Sequence, residues 1–150
     1  MILPAGAAVK ARLCCQVTMN RIRVLIVDGN PSVRNALATR LSIMPQLEVM
    51  GSVGSVSEAQ SAIRQAAPDV VLVEPKRLKG EGMELIQALT SGDRPPLIIV
   101  LTTYHDEDEE LLANELGISC YMLKEIDSQA LLDAIVSCHQ SGSYPAQPPA

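Results

Sequence analysis

The sequence predicts an α/β fold: a doubly wound, five-stranded parallel sheet in the strand order 2-1-3-4-5. Three observations lead there. Five apolar runs, the first dominated by β-branched residues, alternate strictly with five stretches of helical periodicity. Strict alternation makes the strands parallel and joins them by right-handed crossovers. The runs are near-continuously apolar, as strands covered on both faces are. Finally, three of the runs close on a charge, at Asp28, Glu74 and Lys124, and a fourth closes on Thr102. In such a sheet the strand C-termini share one edge, and ligands gather there, at the switch between strands 1 and 3. Asp28, Glu74, Thr102 and Lys124 therefore point to one pocket.

Each element follows from local chemistry. The first strand spans residues 22–27 and is broken only by Arg23. Asp28-Gly29-Asn30-Pro31 punctuates it, and Pro31 or Ser32 opens a helix, since proline suits a first helical turn. Val33, Ala36, Leu37 and Leu41 carry that helix to about Ile43, with Pro45 beyond it. Residues 47–50 make a short second strand and 51–57 a loop. Ser55 followed by Glu58 reads as a capping box, and Ala59, Ala62, Ile63 and Ala66 form the buried stripe of the second helix. Pro68 ends it. Residues 70–74 form the third strand, 75–82 a charged loop, 83–89 the third helix and 97–101 the fourth strand. The fourth helix starts near Asp106 and ends at Gly117 in a left-handed cap. The fifth strand covers 118–123. Asp127 or Ser128 caps the last helix, whose stripe is Ala130, Leu131, Ala134, Ile135 and Cys138.

Composition sets bounds on function. The chain has 150 residues, 47% of them apolar, enough for one domain with a packed core. It has no Trp, no Phe and three Tyr, so an aliphatic core is expected and base-stacking platforms are not. A net charge of −5 argues against direct duplex binding by this chain. The four cysteines lack zinc-site spacing; Cys14 and Cys15 are adjacent, while Cys120 and Cys138 read as small core hydrophobes. No segment has the run of ~18 apolar residues that a membrane span needs, and the apolar start has its basic residues in the wrong order for a signal peptide. The expected organisation is a flexible arm over 1–20, a folded unit over 21–140 and a Pro/Ser/Gly-rich linker or tail over 141–150.

Four segments in this order and spacing carry a family resemblance: Val-Leu-Ile-Val-Asp-Gly-Asn-Pro (24–31), Pro-Asp-Val-Val-Leu-Val-Glu (68–74), Ile-Val-Leu-Thr-Thr (99–103) and Gly-Ile-Ser-Cys-Tyr-Met-Leu-Lys-Glu-Ile (117–126). They resemble the receiver domain of two-component response regulators, a flavodoxin-like fold, over roughly four-fifths of the chain. The Leu-Lys-Glu ending of strand five is most similar to receivers linked to a C-terminal helix-turn-helix. The resemblance implies phosphoryl transfer from a histidine kinase to an Asp at the end of strand three, with Mg²⁺ held by that Asp and an acidic pair after strand one. It also implies a Thr or Ser and a Lys, at the ends of strands four and five, that bind the phosphoryl oxygens, and an aromatic switch residue in strand five. Thr102, Lys124 and Tyr121 match.

Two positions depart from the pattern. The phospho-acceptor position holds Glu74, and the second acid of the pair is Gly29, which leaves Asp28 alone. In addition, Leu78 stands where the family usually has Pro. Glu74 is one methylene longer than Asp, so it projects into the space for metal and phosphoryl group and reaches toward Thr102 and Lys124. A single carboxylate there imitates part of a phosphoryl group's charge; the alternative is a structural ion pair with no switching. Losing one carboxylate weakens a Mg²⁺ site, and Asp28 then serves as a charge partner for Lys124 or a loop cap.

The expected function is an atypical, phosphorylation-independent receiver: a cytoplasmic signalling and interaction domain in transcriptional regulation, not an enzyme, with no required cofactor. Expected partners are a second copy of itself, a histidine kinase or other signalling protein, and DNA only through a helix-turn-helix domain absent from this chain. Two other readings stay open: a receiver that still accepts phosphate, and a small-ligand module holding an anion with Lys76, Arg77 and Lys124. The cluster Lys76, Arg77 and Lys79 reads most simply as a solvated loop, the acids 106–110 as a helix start facing the dipole, and His105 and His139 as isolated.

Overall fold

The structure is a computed structural model that describes residues 21–78, 80–92, 95–118 and 120–141. The expected arm over 1–20, the tail beyond Ser141, and Cys14 and Cys15 lie outside the described residues. In chain order the elements are β1 (Ile22–Val27), α1 (Pro31–Ser42), β2 (Leu47–Val53), α2 (Val56–Ala66), β3 (Val70–Val73), a 3₁₀ turn (Pro75–Arg77), α3 (Gly82–Thr90), β4 (Leu97–Thr102), α4 (Glu107–Glu115), β5 (Tyr121–Leu123) and α5 (Ser128–Ser141). The sheet has the order β2-β1-β3-β4-β5 and is parallel throughout.

Strand alternation splits the core into two layers. Ile22, Val24, Ile26, Val70, Leu72, Ile99 and Leu101 face Leu37 and Leu41 of α1 and Leu131, Ile135 and Cys138 of α5. Leu25, Val27, Val71, Val73, Ile98 and Val100 face Ala59 of α2, Leu85 and Ile86 of α3 and Ala113 of α4. Both faces being covered explains why the strands read as continuous apolar runs. Cys120 and Cys138 are buried with their sulfurs 3.8 Å apart.

Caps set most helix limits. Asn30 accepts from the Ser32 and Val33 amides, and Asp106 from those of Asp108 and Glu109. Asp127, rather than Ser128, caps α5 by accepting from Gln129 and Ala130. Gly117 follows α4 with φ +89°, the left-handed conformation expected of it. At the start of α2 the Ser55 hydroxyl accepts from the Glu58 amide as a capping box requires, but Glu58 reaches back to the Gly54 amide.

Several boundaries differ from expectation. Strand β2 runs on to Val53, because a bulge opposite Val24/Leu25 absorbs one residue and pairing resumes at Gly51. Strand β5 begins only at Tyr121, since the Ile118 amide turns back to the Ala113 carbonyl at 2.8 Å and closes α4 instead. In α1, Ala36 is exposed and Ala38 packs against the core. Strand β3 ends at Val73, so Glu74 is the first residue beyond it.

Candidate functional site

Four residues at the C-terminal edge are placed by the strands before them. Asp28 continues the parity of Val24 and Ile26, Glu74 that of Val70 and Leu72, and Lys124 that of Met122, so all three lean to the α1/α5 side of the sheet. Thr102 and Tyr121 carry the opposite parity, with Val100. Ladder bonds fix the backbone at each point. The Asp28 amide donates to Val53 at 3.0 Å, that of Glu74 to Val27 at 2.9 Å and that of Lys124 to Thr102 at 2.8 Å. Asp28 and Glu74 flank the point where the winding reverses between β1 and β3.

The side chains meet in a closed space. Asp28 and Glu74 are each 2% exposed and Thr102 is fully buried. Lys124 Nζ pairs with Asp28 Oδ2, and Asp28 Oδ1 accepts from the Asn30 amide at 2.8 Å. Both oxygens of Asp28 are thus engaged. Glu74 Oε1 accepts from the Thr102 hydroxyl at 3.2 Å and from the Thr103 amide at 3.5 Å, with Lys124 Nζ further off at 3.8 Å. Glu74 Oε2 is buried with no hydrogen-bond partner. Burial pushes the Glu74 carboxyl above its ordinary value of 4.5; the Thr102 bond and Lys124 pull it back only in part. The cleft between Asp28, Glu74 and Lys124 leaves no room for a water-sized sphere.

Two side chains that sequence reasoning left in solvent belong to this site. Pro75 starts a 3₁₀ turn that brings Lys76 back over the end of β4. Leu78, buried at 2% exposure, anchors the turn. At Gly82 a Cβ would lie 2.3 Å from the Pro75 carbonyl oxygen, so only glycine lets α3 start against it. Lys76 Nζ donates to Thr102 Oγ1 at 3.0 Å, to the Tyr104 carbonyl at 3.0 Å and to Glu109 Oε1 at 2.9 Å. Glu109 Oε1 also accepts from the Tyr121 hydroxyl at 2.8 Å. Tyr121 in turn accepts from the Asp106 amide at 3.3 Å. Burial and the neighbouring Glu109 carboxylate push the Tyr121 phenol well up. His105 is not isolated: it bonds Glu110 at 2.8 Å and meets the Tyr121 ring edge-on at 5.7 Å. No local signal singles out Glu109, which stands among five consecutive acids at 106–110.

Residues 31–40 of α1 and the segment after β5 border a groove of about 430 Å³, lined in part by Val33, Leu37, Arg40 and Lys124. Among the described residues no group of three or more His, Cys, Asp or Glu side chains is placed to hold a metal ion. No helix among them is long and apolar enough to cross a membrane.

Comparison with known proteins agrees with this geometry. Residues 24–136 match the family model described as "Response regulator receiver domain". The chain is 37% identical over 117 residues to the transcriptional regulatory protein LiaR of Bacillus subtilis, covering 76% of this chain and 54% of that protein. It is 33% identical over 114 residues to the DNA-binding transcriptional activator DevR/DosR of Mycobacterium tuberculosis, covering 76% of this chain and 52% of that protein. The chain therefore spans about half the length of these curated relatives. A two-component response regulator of the LuxR family from Aurantimonas sp. SI85-9A1 superposes with TM-score 0.75 at 25% identity, over 85% of this chain and 91% of that one.

Proposed function

This chain belongs to the response regulator receiver domain family, and from that premise we propose that it is a receiver that signals through its conformation and contacts, without accepting a phosphoryl group. The observation that carries the proposal is the filled acceptor site. Glu74, at the acceptor position, turns Oε1 onto Thr102, and Lys124 is paired with Asp28. The two groups that would bind phosphoryl oxygens are thus engaged by carboxylates of the chain itself.

The donor set does not suit Mg²⁺. The ion wants near-octahedral oxygen coordination with close ligands. Here Gly29 offers no side chain, and Asp28 Oδ2 faces an ammonium. Only Glu74 Oε2 is uncommitted, and it is enclosed. In-line attack needs the reacting atoms held at near-contact distance, and a carboxylate one methylene longer, bonded to Thr102, does not offer that. An anion-binding role for Lys76 and Lys124 meets the same obstacle, because each already holds a carboxylate.

On this reading the folded receiver covers residues 21–140 and acts by binding rather than catalysis. Its role lies in cytoplasmic two-component signalling to transcription. A histidine kinase or another signalling protein, and a second copy of the chain, are its partners. DNA is reached through a helix-turn-helix domain outside the described residues, as befits similarity to transcriptional regulators of which the matched segment makes up about half.

The test is intact mass after treatment with acetyl phosphate and Mg²⁺, beside a Glu74→Asp, Gly29→Asp variant. The expected result is a phosphoryl adduct on the variant alone. An adduct on the wild-type chain overturns the proposal.

A further inference from the structure

Glu74 and Tyr121 sit on opposite faces of the sheet and do not touch, yet one unbroken chain of hydrogen bonds joins them. The Asp106 amide donates to the Tyr121 oxygen, and the Tyr121 hydroxyl donates to Glu109 Oε1. Lys76 donates to that same oxygen and to Thr102 Oγ1, and the Thr102 hydroxyl donates to Glu74 Oε1. The donor and acceptor senses are compatible along the path, with the single Thr102 hydroxyl hydrogen placed between Glu74 Oε1 and the Tyr104 carbonyl, each at 3.2 Å. The three hydrogens of the Lys76 ammonium are all spent, on Thr102, on the Tyr104 carbonyl and on Glu109.

We propose that Lys76 and Glu109 form an ionic clasp that positions Thr102 and Tyr121, and thereby couples the carboxylate pocket to the α4–β5 surface. The inference rests on the phosphorylation-independent reading above and adds to it the element that holds the switch residues in place. Lys76 holds both the Thr102 hydroxyl and the β4–α4 loop, because the Tyr104 carbonyl it bonds belongs to that loop. Glu109 is the pivot, since one carboxylate oxygen serves the lysine and the tyrosine together. The surface so fixed carries Tyr104, Leu111 and Leu112, three of the four large apolar side chains most exposed among the described residues. At the clasp itself, Lys76 is 28% and Glu109 10% exposed. It lies at the rim, where a partner or a change of salt can reach it, whereas the Asp28–Lys124 pair is enclosed.

The sequence offers a clean readout. With no Trp, no Phe and three Tyr in the chain, near-ultraviolet dichroism reports tyrosine alone. A full-length chain carrying Tyr104→Phe and Tyr144→Phe leaves Tyr121 as the sole tyrosine. In that background Lys76→Met and Glu109→Gln are each expected to lose most of the Tyr121 band and to raise the quenching of Tyr121 fluorescence by acrylamide. Lys76→Arg is expected to keep the band, and Glu107→Gln, an exposed acid in the same helical turn, to leave it unchanged. An intact band in Lys76→Met overturns the clasp, and so does a fall in thermal midpoint with the band retained, which marks a merely structural lysine. A band lost equally in Glu107→Gln also overturns it. Because this readout uses unphosphorylated protein, it stands apart from the acetyl phosphate test, and either idea can fail without the other.

Discussion

Two ion pairs flank Thr102 and Glu74, and they differ in depth. On the α1/α5 side, Lys124 meets Asp28 where the carboxylate is 2% and the lysine 14% exposed. On the α4 side, Lys76 meets Glu109 at 28% and 10%. The enclosed pair is ringed by β1, β3 and β5 and has no slack. The rim pair spans a short 3₁₀ turn and the first turns of a helix. Between them sits a third carboxylate, Glu74, with two lysines nearby that are each committed elsewhere. Three acids share two ammonium groups, and the deficit falls on Glu74 Oε2, which has no partner. The contrast separates two uses of charge at one sheet edge, one between the strand ends and one that holds the β4–α4 loop and Tyr121.

The largest effect is expected from breaking the enclosed pair. Lys124→Met removes the only ammonium paired with Asp28 among the described residues and leaves Asp28 and Glu74 buried without it. Removing one partner of a buried pair costs about 3–5 kcal/mol. Urea unfolding of the full chain is expected to show a loss of that order at neutral pH, little relieved by salt, because enclosed charges are poorly screened. A loss within about 1 kcal/mol, the scale of an exposed pair, would place Lys124 with the rim lysine and erase the distinction.

Glu74 gives an intermediate effect with a definite sign. Burial raises its carboxyl above the ordinary value of 4.5, so the folded chain holds that proton more tightly than the unfolded one. Stability falls with pH wherever the folded state binds more protons. The contribution of Glu74 is thus fully present below the unfolded value and is lost as pH rises through the folded one. Relative to Glu74→Gln, the wild type is expected to lose stability as pH climbs from about 4.5, levelling once Glu74 is ionised. The measurement is the difference between the two unfolding free energies across that range. A wild type that instead gains stability over Glu74→Gln as pH rises would show Glu74 to be a well-compensated carboxylate and would remove the deficit argued above.

How much of this was legible in the sequence follows from what each part depends on. Strand order and the meeting of Asp28, Glu74, Thr102 and Lys124 need only alternation and strand-end position, which composition and periodicity carry. The turn after Glu74 was not legible in the same way. Lys76 reads as solvated because nothing local says that Pro75, the buried Leu78 and the close approach at Gly82 fold the turn back over β4. Glu109 stands among five consecutive acids at 106–110, a run whose bland explanation is the helix dipole. Its single inward carboxylate is decided by the rotation of α4 on the sheet, a tertiary quantity. Gly51 hid the length of β2, since a glycine in a polar stretch reads as a breaker and a bulge is invisible until the partner strand is known.

The smallest effect in stability is expected at the clasp, and its smallness is informative. Lys76 and Glu109 are partly solvated, so their pairing contributes little net free energy; exposed pairs give about 0.2–1 kcal/mol. Lys76→Met is therefore expected to shift the urea midpoint only slightly, and the shift should shrink as ionic strength rises from low to ~1 M, where the screening length falls to ~3 Å. Yet the same substitution is expected to remove most of the Tyr121 near-ultraviolet band, because the lysine organises three acceptors at once. A small energetic loss with a large conformational one is the mark of a positioning contact. If Lys76→Met instead costs as much as Lys124→Met, and salt does not soften it, then the rim pair is a second enclosed pair. The α4–β5 surface would then be fixed by the core itself.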